Sequence, residues 1–161
     1  MMIREATDSD RDGIWAAIEP AIRTGEVFVI ERDASRDEAL TWWWGPGYEV
    51  FVALDDDGTI LGTSHVRRNQ RGGGAHVANA GYATHPRAAG KGVARALCAH
   101  SLEHARARGF TAMQFNFVVS TNASALHLWH AMGFSIVGRL PGAFVSPTRG
   151  PVDVFVMYRA L

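Results

Sequence analysis

The chain has 161 residues, 47% hydrophobic and 20% charged, a globular composition long enough for one substantial core, so a single domain over residues 1–161 is expected. Lys+Arg and Asp+Glu both number 16, giving a formal charge of +0, and with no block of basic residues nucleic acid is excluded as the expected ligand. No run approaches the roughly 18 apolar residues of a membrane span, and the opening MMIREATDSDRDG carries no apolar signal core, so the expectation is a cytoplasmic protein that meets no membrane.

The first element is a strand from Ile3 to Ala6. Thr7 and Asp8 can cap the helix that follows, with Ile14, Trp15, Ile18 and Ile22 along it. Ser35, with Glu38 three residues later, forms a capping box for a second helix through Leu40 and Trp42 to Trp44, ending at Gly45 to Gly47. Tyr48 to Leu54 and Ile60 to Val66 are strands of a hairpin that turns at residues 55–58, DDDG. A Gly-rich loop at 69–74 leads into a strand over 75–84, where Gly81 suggests a bulge or a close backbone approach. Gly92 to Arg108 is an amphipathic helix closed by Gly109. Met113, Phe115 and Phe117 alternate with polar residues as in a strand, and Asn122 to Met132 is a helix closed by Gly133. Phe134 to Leu140 and Val152 to Tyr158 are closing strands around a Pro- and Gly-rich loop. This order predicts the α/β or α+β class, a mixed sheet covered by helices.

Cys98 is the only cysteine, which rules out an internal disulfide and a Cys-based zinc site and suits a reducing compartment. No metal is expected. His100 and His104 lie one helical turn apart, opposite Cys98, and read as solvated residues, as do His127 and His130. Trp42 to Trp44 suit either a pocket cap or a packed core or dimer surface. Asn79 and Asn116 are amides in predicted central strands, where each needs a partner, either neighbouring backbone or a substrate.

Residues 85–94, HPRAAGKGVA, sit between a predicted strand and a predicted helix. A helix start offers free amides and the positive end of its dipole, so a glycine-bearing turn there can wrap a pyrophosphate. Gly90 and Gly92 allow close approach and Lys91 adds charge. The spacing matches neither a Walker loop nor GxGxxG, which excludes nucleoside triphosphate and dinucleotide binding.

These residues resemble the GNAT acetyltransferase superfamily, whose signature is Gln/ArgxxGxGly/Ala between the fourth strand and third helix. Gly92 and Ala94 match it, while Ala89 replaces the usual Gln or Arg. A second stretch, NASALHLWHAMGF at 122–134, is similar to the family's AsnxxAlaxxLeuTyrxxxGlyPhe. The resemblance implies a mostly antiparallel sheet of six or seven strands with about four helices, splayed between strands 4 and 5. It implies acetyl-CoA as co-substrate, with Arg87, Ala89, Gly90, Lys91, Gly92, Val93 and Ala94 around the pyrophosphate. The backbones of Tyr82, Ala83 and Thr84, with Asn122, Ala125 and Trp129, would hold the pantetheine arm. Trp129 stands where many members carry a tyrosine acid, and indole N–H donates a hydrogen bond without giving up its proton. Amides near Tyr82 and Ala83, freed by a bulge at Gly81, would meet the oxyanion. Asn79, Asn116 and Glu26 are the expected substrate residues, Asn79 also counting with Trp129 and Tyr82 as catalytic. The acceptor implied is a small-molecule amine, an amino acid or proline analogue. An exposed closing strand offers an edge for a homodimer. Two other readings stay open, a catalytically silent CoA-binding or sensor module and a protein N-acetyltransferase.

Overall fold

The structure, a computed structural model, describes residues 1–161. In chain order it comprises β1 (Met2–Glu5), α1 (Arg11–Thr24), α2 (Arg36–Trp43), β2 (Glu49–Leu54), β3 (Ile60–Arg68), β4 (Val77–Thr84), α3 (Val93–Ala107), β5 (Ala112–Val119), α4 (Ala123–Ala131), β6 (Ser135–Ser146) and β7 (Gly150–Ala160). The expected capping box forms at α2, where Glu38 N donates to Ser35 Oγ at 3.1 Å and Ser35 N to the Glu38 carboxylate at 2.8 Å. Thr7 instead caps a 3-10 turn over Asp8–Asp10, and α1 begins one residue later. No helix is long and apolar enough to cross a membrane.

All seven strands join one sheet in the order β1-β2-β3-β4-β5-β7-β6. Every neighbouring pair is antiparallel except β4 and β5, which the α3 crossover makes parallel. These two pair only at Val77↔Ala112 and Ala78↔Met113 and then separate, the expected splay between strands 4 and 5. Helices cover both faces. On one, Ile14, Ile18 and Ile22 of α1 and Leu40 and Trp43 of α2 pack on Val50, Val52 and Ala83. On the other, Cys98, Leu102 and Ala105 of α3 and Trp129 of α4 pack on Val66, Ala78, Met113 and Met157. Each such large side chain contributes about 1.5–3 kcal/mol on burial.

Two expectations need correcting. The bulge at Gly81 is absent, since β3 and β4 pair without a shift from Gly62↔Thr84 to Arg68↔Ala78. Gly81 serves a close approach instead, by a side chain, because a Cβ there would lie 2.4 Å from His65 Nε2. The bulge lies on β5, where one extra residue enters between Phe115 and Val118. Finally, the Pro- and Gly-rich stretch after Leu140 is strand, not loop. Two extra β6 residues between Leu140 and Phe144 absorb Pro141 and Gly142, which an edge strand tolerates because its outer N–H groups have no ladder to break.

Candidate active site

Where β4 leaves β5, half of its backbone groups lose their partners. Asn69 N donates to Val77 O and His85 N to Leu61 O, so the odd-numbered residues of β4 turn their amides and carbonyls toward β3. By alternation Ala80, Tyr82 and Thr84 face the gap, while Ala83 faces β3. The splay, rather than a bulge, frees the Tyr82 amide. A cavity of about 540 Å³ occupies this gap, running from Trp42 and Trp43 on the α1–α2 face to Ala125 and Trp129 of α4.

Next to the end of β4 is the glycine loop. Gly90 and Gly92 adopt φ of 74° and 75° with open space where a Cβ would point, a backbone that other residues enter at a cost. The amides of Gly90, Gly92, Val93, Ala94 and Arg95 find no acceptor within the protein, the first helical bond being Ala96 N to Gly92 O. A loop end with five free donors fits an anionic pyrophosphate, and this fit rests on backbone. Ala89, in place of Gln or Arg, is exposed, and the free amides of the loop do not depend on its side chain.

Asn122 caps α4, its side-chain oxygen accepting from Ala125 N at 3.4 Å, and with Ala125 it lines the cavity. Trp129 is packed between Tyr82 and Phe115, both with ring centroids at 4.9 Å. Its Nε1–H has no acceptor within the protein and is not sealed from the cavity. The Tyr82 phenol points the other way, into α3, where it shares a hydrogen bond of 2.6 Å with Ser101. Burial raises its pKa well above the ordinary value. Tyr82 therefore reaches the gap through its backbone only.

On the α1–α2 face the sequence reading missed the principal side chains. His65 and Arg67, two apart on β3, share that face of the sheet. The Arg67 guanidinium lies 4.8 Å over the Tyr48 ring and donates from Nε to Asn79 Oδ1 at 3.1 Å. No carboxylate pairs with it, and the cavity contains no Asp or Glu. His65 packs against Trp43 and Tyr48 at 4.7 and 5.0 Å. Burial, reinforced by the Arg67 charge, pushes its pKa down to about 3, so it is neutral at ordinary pH. An ionisable pair on the inward face of a buried strand was the available signal for both.

Asn79 donates from Nδ2 to Gln114 O at 2.9 Å, bridging β4 to β5 at the splay, and its oxygen is taken by Arg67. Asn116 also lines the cavity but bonds Asn69 and Gln114. The amide partners are therefore within the protein. Glu26 is not in the cavity. Its carboxylate accepts from Ser146 and Thr148 at 2.7 and 2.9 Å, clamping the α1–α2 loop to the β6–β7 turn, and these bonds lower its pKa. The same loop instead sends Val27, Phe28 and Val29 to the cavity. Of the three tryptophans, Trp42 and Trp43 both line the cavity, Trp43 being buried in the core as well. The histidines of α3 are not simply solvated, since His100 packs on Phe51 at 4.7 Å and His104 bonds Glu49 at 2.8 Å.

The chain is similar to several proteins described as acetyltransferases. A structure described as a GCN5-related N-acetyltransferase from Kribbella flavida superposes with a TM-score of 0.93 at 39% identity, over 99% of this chain and 97% of the other. The yncA structure from Salmonella typhimurium, solved with its cofactor acetyl-CoA, gives 0.86 at 25% identity over 100% and 94%. The L-methionine sulfoximine/L-methionine sulfone acetyltransferase of Salmonella typhimurium is 27% identical over 146 residues, covering 88% of this chain and 84% of its own. The model of the acetyltransferase (GNAT) family matches residues 15–134, which contain the glycine loop, the strand splay and the whole motif at 122–134. With both the sequence pattern and the site geometry accounted for, the chain belongs to the acetyltransferase (GNAT) family.

Proposed function

We propose that this enzyme moves the acetyl group of acetyl-CoA to the amine of a small amino acid or close analogue by direct attack. The observation that carries the substrate class is Arg67, an unpaired cation held over Tyr48 at a cavity without a carboxylate. Its fork suits the acceptor's α-carboxylate. The methionine sulfoximine enzyme among the relatives acts on acceptors of that kind.

Acetyl-CoA supplies an activated thioester. The free amides of residues 90–95 would hold its pyrophosphate, with Arg87 and Lys91 adding charge, and Ala80, Tyr82 and Thr84 would offer backbone to the pantetheine arm beside Asn122 and Ala125. The Tyr82 amide is the donor for the developing oxyanion. Trp129 Nε1–H donates to the departing sulfur, whose thiol pKa of about 8 to 9 lets water supply the proton. The cavity has no residue suited to act as general base: His65 is too weak a base near pH 7. Arg67 lowers the pKa of the bound ammonium by like-charge repulsion, which raises the fraction of attacking amine.

A CoA-release assay over a panel of amino acids, polyamines and peptides tests this. Turnover confined to amines with a neighbouring carboxylate is expected. Turnover of polyamines or peptides in preference would overturn the substrate class, and tight CoA binding without turnover of any amine would make the chain a CoA-binding sensor.

A further inference from the structure

Val27 and Phe28 of the α1–α2 loop line the same cavity as Arg67, yet their own segment does little to fix them. Residues 27–30 make no backbone hydrogen bond within the protein. The base of the loop is closed farther along, where Arg23 donates to Ala34 O at 2.9 Å and Arg32 Nε to Arg23 O at 3.0 Å. Phe28 rests edge-on against Trp42 and Trp43, with ring centroids at 5.4 and 5.8 Å. The polar tie next to this wall is Glu26, which accepts from Ser146 and Thr148 at 2.7 and 2.9 Å.

The partners of Glu26 are held ready for it. Ser146 is 1% exposed, and its Oγ accepts from Thr148 N at 3.3 Å and Arg149 N at 3.1 Å, which folds the β6–β7 turn around it. Its one hydroxyl proton goes to Glu26 Oε2, and Thr148 gives its own to Oε1, so each carboxylate oxygen holds one hydroxyl. An amide in place of this carboxylate would offer one acceptor oxygen to two donors.

These bonds also cross the splay. α1 and α2 pack on Val50, Val52 and Ala83 of β2 and β4, whereas β6 and β7 lie beyond β5. Between the two parts of the sheet, β4 and β5 pair only at Val77↔Ala112 and Ala78↔Met113, with Asn79 reaching Gln114 O as well. Glu26 thus anchors a cavity wall from one side of the gap to a turn from the other.

We infer that Glu26 is a positioning residue for acceptor selection: its two bonds hold Val27 and Phe28 as the wall on which an apolar side chain of the acceptor rests. The site therefore prefers amino acids with such a side chain over alanine. A wall already in place lets that side chain leave water without the cost of ordering a loop at the moment of binding. The inference rests on the acceptor reading of the cavity given above.

The test compares alanine and methionine as acceptors for the full chain and for Glu26→Ala, Glu26→Gln and Thr148→Val. The full chain should show a kcat/KM about tenfold higher for methionine, the scale of two buried methylene groups. Glu26→Ala should raise the KM for methionine about tenfold, with the KM for alanine, kcat and the Kd for CoA by calorimetry nearly unchanged. Glu26→Gln and Thr148→Val each keep one of the two bonds and should fall between. Adding Thr148→Val to Glu26→Ala should change nothing further, because the two residues share one interaction. Thr148 is exposed, so its variant keeps the test open should Glu26→Ala fail to fold. Equal rates on both acceptors in the full chain, equal KM rises for both in the variants, a loss of CoA affinity, or additive effects would each overturn the inference while leaving the acetyltransferase reading standing. Were no amine turned over, chymotrypsin cleavage after Phe28 would read the latch by itself. Faster cleavage in Glu26→Ala supports it, and equal cleavage sinks it.

Discussion

The two sides of the cavity are made of different material. Toward α3 and α4 the site is mostly backbone: the free amides of residues 90–95 and the turned-out groups of Ala80, Tyr82 and Thr84. Toward α1 and α2 it is side chains, with Arg67, His65, Tyr48, Trp42 and Phe28 arranged around an apolar hollow. A backbone site tolerates sequence change as long as its dihedrals survive, which is why Ala89 can stand in a motif position without emptying the cradle. A side-chain site changes its ligand with one substitution. The first half suits a constant donor and the second a variable acceptor.

Arg67→Ala should break this contrast most strongly. Losing a charged contact worth about 1.5–3 kcal/mol lowers kcat/KM for amino-acid acceptors by about 10- to 100-fold, while the Kd for CoA by calorimetry stays put. Arg67→Lys should recover little, because an ammonium cannot bond Asn79 and a carboxylate in the same fork. A matching loss of CoA affinity would show that the two halves are not separable.

Gly92→Ala is the reciprocal test. At φ 75° an L residue costs about 1–2 kcal/mol, so CoA affinity should fall about tenfold with the KM for acceptor little altered. The smallest effect is expected for Trp129→Phe, which keeps an aromatic ring against Tyr82 and Phe115 and removes Nε1–H together with part of the indole's volume. A neutral hydrogen bond of about 1 kcal/mol predicts a roughly fivefold lower kcat with both KM values steady. An unchanged kcat would show that the departing sulfur needs no donor from the protein.

The donor half was legible in the sequence because its requirements are local. Positive φ at Gly90 and Gly92 and the Asn122 cap are conditions on a few consecutive residues, and they leave residue types behind as evidence. The order of strands and helices, and with it the class of fold, was readable for the same reason. The acceptor half was not. Asn79 looked like a substrate amide until the register of β3 on β4 set Arg67 beside it. Gly81 looked like a bulge because the group it makes room for, His65, lies on the neighbouring strand. Glu26 looked like a pocket acid, yet its partners Ser146 and Thr148 arrive more than a hundred residues later.

The sequence by itself determined the elements, the glycine loop and the family pattern, since hydrophobic period, capping and backbone conformation are decided within a turn or a strand. Tertiary structure alone decided which cation lines the cavity, which amides the splay sets free and which carboxylate is spent on holding a loop. Those outcomes depend on strand register and on packing between distant segments, and a one-residue slip of β3 would have turned Arg67 to the other face of the sheet.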